Sequence, residues 1–403
     1  MFDEKFLNYL ETFKFSADVY SFKEGTPIFP NEPIMVVKGP IIECQLIETM
    51  LLLSVNFQSL IATKATRIVR EAKGRSVLEF GARRAHSYDA ANLGARSAFI
   101  GGVTGSSNTT ADYAFGVPAL GTMAHSFVQS FDTEYEAFVA YARTYPDDTV
   151  LLVDTYDTLR SGIPNAIRLQ KEVLGPQGKQ LKGIRIDSGD LAYLTKKTRI
   201  LLDEAGLDFT KITVSNALDE YLIRDLLGPQ EAKIDAFGVG ERLITARSEA
   251  VFGGVYKLSA LYKNNTEIPR IKISDNPAKT TTPGFKQVYR FYDENHMAIA
   301  DVITLFDEKI DIKKPYRLFD PVYPWKAKIV ENYHVEPLLH QIYDKGKRIY
   351  KLPALMDIRT YAKAQLATFW KEVLRLENPH NYYIDLSQKL WDLKDQMVRS
   401  YQK

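Results

Sequence analysis

The sequence has one cysteine, almost no net charge and no long uninterrupted hydrophobic run. Because Cys44 stands alone, an internal disulfide and a cysteine-based metal site are excluded, as is usual in a reducing compartment. Fifty-two basic side chains against fifty acidic ones argue against a nucleic-acid or membrane-surface protein. Even LIETMLLLSVNF contains Glu48, and the start MFDEKFLNYL is acidic where a secretory signal is basic. The sequence therefore predicts a soluble, cytoplasmic protein that associates with neither membranes nor nucleic acid.

The length of the chain predicts two domains. Its 403 residues are too many for one small core, while 45% hydrophobic and 25% charged residues are ordinary globular values. Alternation in KQVYRFYDENHMAIADVITLF predicts an antiparallel hairpin with its turn at residues 293–295. We therefore expect a barrel over residues 43–261 and a smaller α/β domain, with antiparallel strands, formed by residues 1–42 together with 262–403.

The middle of the chain alternates short apolar runs with polar loops and helical patterns. Such alternation predicts parallel strands that are buried on both faces. Seven units in about 170 residues favour an irregular (β/α) barrel, and a long doubly wound sheet is the alternative. The seven predicted strands with their loops are VLEFGARR, AFIGGVTG, ALGTMAHS, VLLVDTYD, GIRIDSGD, ITVSNALD and IDAFGVGER.

One long helix is predicted before these strands. Residues 43–74 contain no proline and end at Gly74, and their apolar side chains recur at helical spacing on several sides. A helix with that pattern is buried or lies in a subunit interface.

Polar side chains follow each predicted strand, and the strand ends of barrels and open parallel sheets converge on one site. Each residue alone has a structural explanation, since arginines are solvated, aspartates cap helices and a lone histidine most often lies in a core. Their occurrence together, one set at every strand end, instead predicts a functional site. The set is Arg83, Arg84, Ser106, Ser107, Asn108, His125, Asp154, Asp157, Arg185, Asp187, Asp190, Ser215, Asn216, Asp219, Gly238 and Gly240.

The chemistry of this set points to a phosphorylated sugar. It offers cations for anions, carboxylates for a divalent metal or sugar hydroxyls, and a single imidazole, His125, with no neighbouring histidine to complete a zinc site. The glycine pair Gly238 and Gly240 follows the seventh predicted strand, where barrels bind phosphate through backbone N–H groups. Carboxylate oxygens of Asp187 and Asp219 suit Mg²⁺.

Nine motifs, in this order and spacing, resemble the nicotinate phosphoribosyltransferase family over nearly the whole chain. They are EFGARRAH, GGVTGSSNT, GTMAHS, DTYDT, RIDSGD, VSNALDE, GVGERL, GGVYKL and KISDNPAKTTTPGFKQVYR. The resemblance implies a reaction of nicotinate with phosphoribosyl pyrophosphate that gives nicotinate mononucleotide and pyrophosphate, coupled to ATP hydrolysis with Mg²⁺. It also implies a homodimer with shared active sites, and it makes His125 the residue transiently phosphorylated by ATP.

The resemblance also implies a role for each site residue. Phe80 corresponds to the aromatic surface for the pyridine ring, Arg83 lies near ring and phosphates, and Arg185 binds either the nicotinate carboxylate or pyrophosphate. Asp187 and Asp219 suit ribose hydroxyls, Mg²⁺ and the charge that develops at the sugar C1. Asn108 stands where nicotinamide-specific relatives carry aspartate, and its neutral amide tolerates a carboxylate. Further substrate-binding positions are Ser107, Asp154 and the 5-phosphate residues Ser215, Asn216, Gly238 and Gly240.

Two features depart from the family pattern. A segment with the motif Asp-x-Tyr-x-x-Thr-Met, expected ahead of the region equivalent to Met1, does not occur in this sequence, and Glu241 replaces a frequent small hydroxyl residue. The alternatives are therefore a nicotinamide- or quinolinate-type transferase and a weakened phosphosugar-binding homologue.

Overall fold

The computed structural model describes residues 2–275 and 279–401, so residues 276–278 of the motif KISDNPAKTTTPGFKQVYR lie outside the described residues. The chain divides into two compact units, Met1–Ser54 with Gly254–Lys403, and Val55–Gly253. The first boundary falls within the helix Glu48–Glu71, whereas the sequence placed it after residue 42, which lies in the preceding short helix Ile41–Leu46.

The described part of the first unit contains antiparallel sheets, four complete helices and the first residues of the helix Glu48–Glu71. One sheet has the order β17-β16-β1-β2 and another the order β15-β11-β12-β18, in which only the β12–β18 pair is parallel. The hairpin of β11 and β12 confirms the predicted turn at residues 293–295. The helices are α1 Glu4–Glu11, α2 Ile41–Leu46, α12 Leu355–Ala367 and α13 Gln388–Tyr401, and the strands are β1 Asp18–Ser21, β2 Met35–Lys38, β9 Ala260–Lys263, β10 Thr266–Pro269, β11 Lys286–Tyr292, β12 Ala298–Leu305, β13 Tyr316–Phe319, β14 Ala327–Val330, β15 His334–Pro337, β16 His340–Asp344, β17 Lys347–Arg348 and β18 Tyr383–Leu386.

The second unit is an irregular, open barrel. Its six described strands are all parallel in the order β4-β3-β8-β7-β6-β5. The sheet curls into a half-barrel, which is open because β4 and β5 do not pair with each other. The strands are β3 Ser76–Glu79, β4 Gly105–Ser106, β5 Val150–Leu152, β6 Gly183–Ile186, β7 Lys211–Ser215 and β8 Ala236–Val239. The helices are α4 Tyr88–Ile100, α5 Thr109–Phe115, α6 His125–Gln129, α7 Glu134–Thr144, α8 Ile163–Leu169, α9 Leu191–Glu204, α10 Glu220–Leu227 and α11 Glu241–Ile244.

Local sequence explains the strand–helix alternation of this barrel. Apolar side chains at successive positions, such as Leu151 and Leu152 of β5, are fully buried because helices cover the sheet. Aspartates at the loop ends start the following helices: Asp190 accepts a hydrogen bond from Tyr193 N, and Asp219 accepts one from Leu222 N, each at 2.9 Å.

Two of the seven predicted strands are wrong. Residues 98–100 of AFIGGVTG belong to α4, and the strand that follows, β4, has two residues. The run ALGTMAHS forms no strand, since Ala119 makes an isolated bridge with Ser106 and α6 begins at His125. Short apolar runs cannot be assigned from periodicity alone, and α4 is buried on enough sides that its carboxyl end resembles a core strand.

The predicted long helix is confirmed, with a break at Ile47 between α2 and α3 (Glu48–Glu71). Its carboxyl half is buried through Ile61, Ala65 and Ile68. Its amino half leaves Leu46, Met50 and Leu53 exposed in the single chain, namely 46%, 65% and 64%. By length and composition alone the stretch Ile41–Glu71 is apolar enough to cross a bilayer; a single such helix is weak evidence, because helices of soluble proteins pass the same criterion.

Candidate active site

The candidate site lies at the carboxyl ends of β3, β5, β6, β7 and β8, where the sequence predicts it. All of its residues belong to the barrel unit. The parallel sheet brings these five strand ends together from a stretch of about 160 residues, as expected for sites in parallel α/β folds.

His125 stands at the centre of this group, at the first position of α6. Its Nε2 lies 3.7 Å from Asp187 Oδ2 and 3.8 Å from Asp154 Oδ1. Its Nδ1 lies 3.1 Å from the hydroxyl oxygen of Thr155, a residue that the sequence analysis did not single out. The ring side chain is 39% exposed, so a substrate can reach it, and it is not a sequestered core histidine.

Asp154 is held in place beside Nε2 of the imidazole by two hydrogen bonds. Its Oδ2 accepts hydrogen bonds from the Asp187 backbone N–H at 2.9 Å and from the Ser188 hydroxyl at 2.6 Å. Its Oδ1, which faces His125, is buried without a hydrogen-bond partner, although the side chain is only 3% exposed. A carboxylate oxygen of this kind directs negative charge at the nearest titratable ring.

Asp187 links β6 to β7. Its Oδ1 accepts a hydrogen bond from the Ser215 hydroxyl, while Oδ2 points toward His125. The side chain is about one-third exposed, at 32%, and so it is accessible to a ligand. The structure thus joins His125, Asp154, Asp187 and Ser215 in one contiguous cluster.

Arg185 supplies the positive charge of the site. Its Nη2 donates to the carbonyl of Met123 at 3.4 Å, and its guanidinium lies 5.8 Å from the centre of the Phe80 ring. Its Nε is buried and has no hydrogen-bond partner. Burial lowers the pKa of this guanidinium, and the proximity of Arg83 contributes, while Asp187 and Asp154 oppose the shift. A guanidinium keeps its charge in proteins, so the free donor favours an anion.

The aromatic surface of the site is the ring of Phe80, which follows β3. The Phe80 backbone N–H donates to the Val239 carbonyl at 2.8 Å. A Cβ at Gly238 would lie 2.4 Å from the ring carbon Cε2, so the absence of a side chain there makes room for the ring. Gly240 borders the same residue, since a Cβ there would lie 3.3 Å from the Phe80 carbonyl.

Glu79 was missed by the sequence analysis, although it opens the motif EFGARRAH. Its side chain is fully buried and accepts hydrogen bonds from the Gly81 backbone N–H and, at 2.6 Å, from the Ser106 hydroxyl. Burial raises the pKa of this carboxyl. The acidic residue ties the loop that carries Phe80 to strand β4. A buried carboxylate within a strand carries no sequence signal that separates it from an exposed one.

Asp219 already has a partner at each oxygen. Its Oδ1 caps α10, and its Oδ2 accepts from Arg242 Nη1 at 2.5 Å. Glu241 pairs with Arg247 at 3.6 Å, which offsets its charge near the predicted phosphate site. Asn216 precedes this region with a positive φ of 100°, a strained conformation for a non-glycine residue.

The other predicted binding residues are Asn108, Ser107 and Arg83, and Arg83 lies near enough to Arg185 to affect its pKa. Asn108 caps α5 through Thr110 N at 3.1 Å and donates to Asn92 Oδ1 at 2.9 Å, so its side chain is engaged within the scaffold. Ser107 and Arg83 are exposed, and Ser107 N–H donates to the Glu79 carbonyl at 2.9 Å.

The carboxylates fit Mg²⁺ only in part. In the described ranges no group of three or more His, Cys, Asp or Glu side chains is arranged to hold a metal ion. Asp187 offers one accessible oxygen, whereas both oxygens of Asp219 are occupied. This donor set suits a Mg²⁺ ion held by one or two carboxylates and completed by substrate phosphates and water.

Comparison with known proteins agrees with this architecture. Residues 76–310 match the Nicotinate phosphoribosyltransferase (NAPRTase) family, residues 1–56 match its N-terminal domain and residues 285–394 match its C-terminal domain. A nicotinate phosphoribosyltransferase of Bacillus subtilis is 48% identical over 382 residues, which cover 94% of this chain and 77% of the relative.

Two solved structures also resemble this chain in fold. The crystal structure of human nicotinic acid phosphoribosyltransferase superimposes with a TM-score of 0.85 at 28% identity, covering 98% of this chain and 85% of the human chain. A nicotinate-nucleotide pyrophosphorylase from Pyrococcus furiosus gives a TM-score of 0.69 at 27% identity, covering 88% of this chain and 82% of the other. With the sheet order, the site and the matched sequence in agreement, this chain belongs to the nicotinate phosphoribosyltransferase family.

Proposed function

We propose that this chain transfers the phosphoribosyl group of phosphoribosyl pyrophosphate to nicotinate, in the biosynthesis of NAD. The pyridine nitrogen forms a bond to the sugar C1, the bond from C1 to the pyrophosphate oxygen breaks, and nicotinate mononucleotide and pyrophosphate are released. The observation that carries this proposal is the cluster of Phe80, Arg185, His125 and Asp187, which places an aromatic face, an unpaired guanidinium donor, an imidazole and a carboxylate together.

Each member of the cluster has a chemical task in this reaction. The Phe80 ring supports the pyridine by stacking. The guanidinium of Arg185, beside the Phe80 ring, binds an anion, either the nicotinate carboxylate or pyrophosphate. The accessible Oδ2 of Asp187 stabilises positive charge on the sugar ring as the leaving group departs. When Mg²⁺ is bound, it neutralises the pyrophosphate, and Asp187 is the residue best placed to hold it.

We further propose that His125 couples ATP hydrolysis to this transfer. The imidazole attacks the γ-phosphorus of ATP, ADP leaves, and water later takes the phosphoryl group. Support comes from the partial exposure of the ring and from Asp154 and Asp187, which face Nε2 and can accept the proton released on attack. The small residues Gly121 and Ala124 precede His125 in the sequence, and the space around Gly121 is open.

We also propose that the protein forms a homodimer with shared active sites and that it is cytoplasmic. The exposed apolar residues Leu46, Met50 and Leu53 of α2 and α3 favour burial against a second subunit. The near-zero net charge and single cysteine fit the cytoplasm.

One experiment tests the reaction and its coupling. The purified protein is mixed with phosphoribosyl pyrophosphate, Mg²⁺ and nicotinate, nicotinamide or quinolinate, with and without ATP, and products are weighed by mass spectrometry. We expect nicotinate mononucleotide, formed faster with ATP. A mononucleotide from another pyridine alone, or binding without turnover, contradicts the proposal and supports the corresponding alternative.

The His125→Ala variant separates the two parts of the proposal. We expect it to lose the stimulation by ATP while some basal transfer remains, because the nucleophile is removed and the pyridine and sugar contacts are kept. Unchanged coupling in this variant refutes the role of His125.

A further inference from the structure

We infer that Thr155 is a positioning residue, whose hydroxyl fixes the His125 ring so that Nε2 faces the carboxylates of Asp154 and Asp187. The expected effect of Thr155 on catalysis rests on the ATP coupling proposed above, whereas its role in orienting the ring does not. Thr155 lies in the motif DTYDT directly after Asp154, so one short loop after β5 contacts the ring at both nitrogens.

The hydrogen-bond pattern selects one form of the neutral ring. A neutral imidazole carries a proton on one nitrogen and a lone pair on the other. Nε2 lies within 3.8 Å of two carboxylate oxygens, at 3.8 Å from Asp154 and 3.7 Å from Asp187, so a lone pair there would face negative charge. The proton is therefore favoured on Nε2. Nδ1 then accepts, and the Thr155 hydroxyl, 3.1 Å away, donates.

The same contact fixes the ring's orientation. The ring carries no other hydrogen bond in the described part of the chain, so the contact with Thr155 is the directional interaction that orients it, although its side chain is 39% exposed. Asp154 is immobilised through Asp187 N–H and Ser188, so the carboxylate that faces Nε2 has a fixed position. Without the hydroxyl, rotation of the ring about its χ2 angle would exchange Nδ1 and Cδ2 and carry Nε2 away from the carboxylates.

The test compares Thr155→Val, which keeps the branched shape and removes the hydroxyl, with Thr155→Ser, which keeps the hydroxyl. Thr144→Val is the matched control, because Thr144 is exposed and its hydroxyl bonds the backbone of its own helix, to Ala140 O at 3.1 Å. The first measurement uses full-length protein labelled with ¹⁵N-histidine. The His125 signals among the six histidines are assigned by their loss in His125→Ala.

We expect wild-type His125 to show a protonated Nε2 and an accepting Nδ1. Thr155→Val is expected to shift both ring nitrogens toward a mixture of the two forms, and Thr155→Ser to restore the wild-type shifts. Identical shifts in wild type and Thr155→Val overturn the inference, as does a serine variant that behaves like the valine variant.

The second measurement follows catalysis in the same variants. A single hydrogen bond contributes about 0.5–1.5 kcal/mol, which is about 2- to 13-fold in rate. With the proton on Nε2, Nδ1 is the nitrogen that attacks ATP, so its hydrogen bond from Thr155 must break before the bond to phosphorus forms. We expect Thr155→Val to change kcat for ATP-dependent formation of nicotinate mononucleotide by up to that factor while KM for nicotinate stays unchanged, and Thr155→Ser to restore the wild-type kcat. A loss seen only in KM overturns the inference. If the wild-type protein forms no phosphohistidine, the proposed coupling fails, whereas the nitrogen shifts still decide the role of Thr155.

Discussion

Replacing Gly238 by alanine tests what the glycine at the end of β8 is for. The sequence assigns Gly238 to the 5-phosphate cradle, while the structure places it against the Phe80 ring. An added Cβ would lie 2.4 Å from Cε2 and 2.5 Å from Cδ2 of that ring, and 3.2 Å from Ser215 Cβ on its other side. The substitution therefore moves the ring without introducing a charge or a hydrogen-bonding group.

The size of the effect follows from those contacts. Carbon atoms in contact lie about 3.5–4.0 Å apart, so the ring must retreat by roughly 1 Å. Overpacking of this kind costs about 1–3 kcal/mol of stability. Aromatic stacking contributes about 0.5–1.5 kcal/mol, so loss of the pyridine contact corresponds to about a 2- to 12-fold weaker binding of nicotinate.

The assay measures initial rates of nicotinate mononucleotide formation with each substrate varied in turn. We expect Gly238→Ala to raise KM for nicotinate by that factor and to leave KM for phosphoribosyl pyrophosphate within twofold. A double mutant supplies the control, because in a Phe80→Ala background the new methyl group has no ring to displace. There the alanine at position 238 should cost little, so the two substitutions are non-additive.

The opposite pattern refutes this reasoning. If KM for phosphoribosyl pyrophosphate rises while KM for nicotinate is unchanged, Gly238 is needed for the approach of a phosphate to the backbone, as the sequence suggests. Additive effects of the two substitutions lead to the same conclusion.

Two further predictions concern the antiparallel unit. Asp301→Asn removes the ion-pair partner of the fully buried Arg290, to which Asp301 is bonded at 2.9 and 2.6 Å. In urea denaturation the free energy of unfolding should fall by about 3–5 kcal/mol. The control Asp395→Asn, in the exposed pair with Arg399, should lower it by less than about 1 kcal/mol, and equal losses would contradict this prediction. Burial raises the pKa of Asp385 from 3.8 to about 7, so between these values the folded state keeps a proton that the unfolded chain loses. The stabilisation of the folded state by this proton is complete below pH 3.8 and is lost as the pH rises to about 7. Thermal melts over that range should show a flatter pH dependence for Asp385→Asn than for the wild type, and parallel curves would refute the assignment.

Many residues of the candidate site can be predicted from the sequence, because the strand ends of a parallel sheet converge whatever residues the loops contain. His125, Asp187 and Ser215 were predicted on that basis and lie in contact in the structure, and Arg185, also predicted, lies near enough to Asp187 for their charges to interact. The motif order also predicted the family. Periodicity does not separate a strand from a helix or loop where an apolar run is short. For this reason the strand predictions at the end of α4 and in the loop before His125 are wrong.

The sequence by itself determined the fold class, the family and the identity of most polar groups at the site, because these depend on local patterns and on which residues follow each strand. Only the tertiary structure decided how those groups pair. Arg242, 23 residues along the chain from Asp219, occupies one of its oxygens, and Glu79 reaches across 27 residues to Ser106. The hydroxyl of Thr155 meets the imidazole from 30 residues away. Such pairings depend on side-chain direction and burial in three dimensions, and no spacing along a chain encodes them.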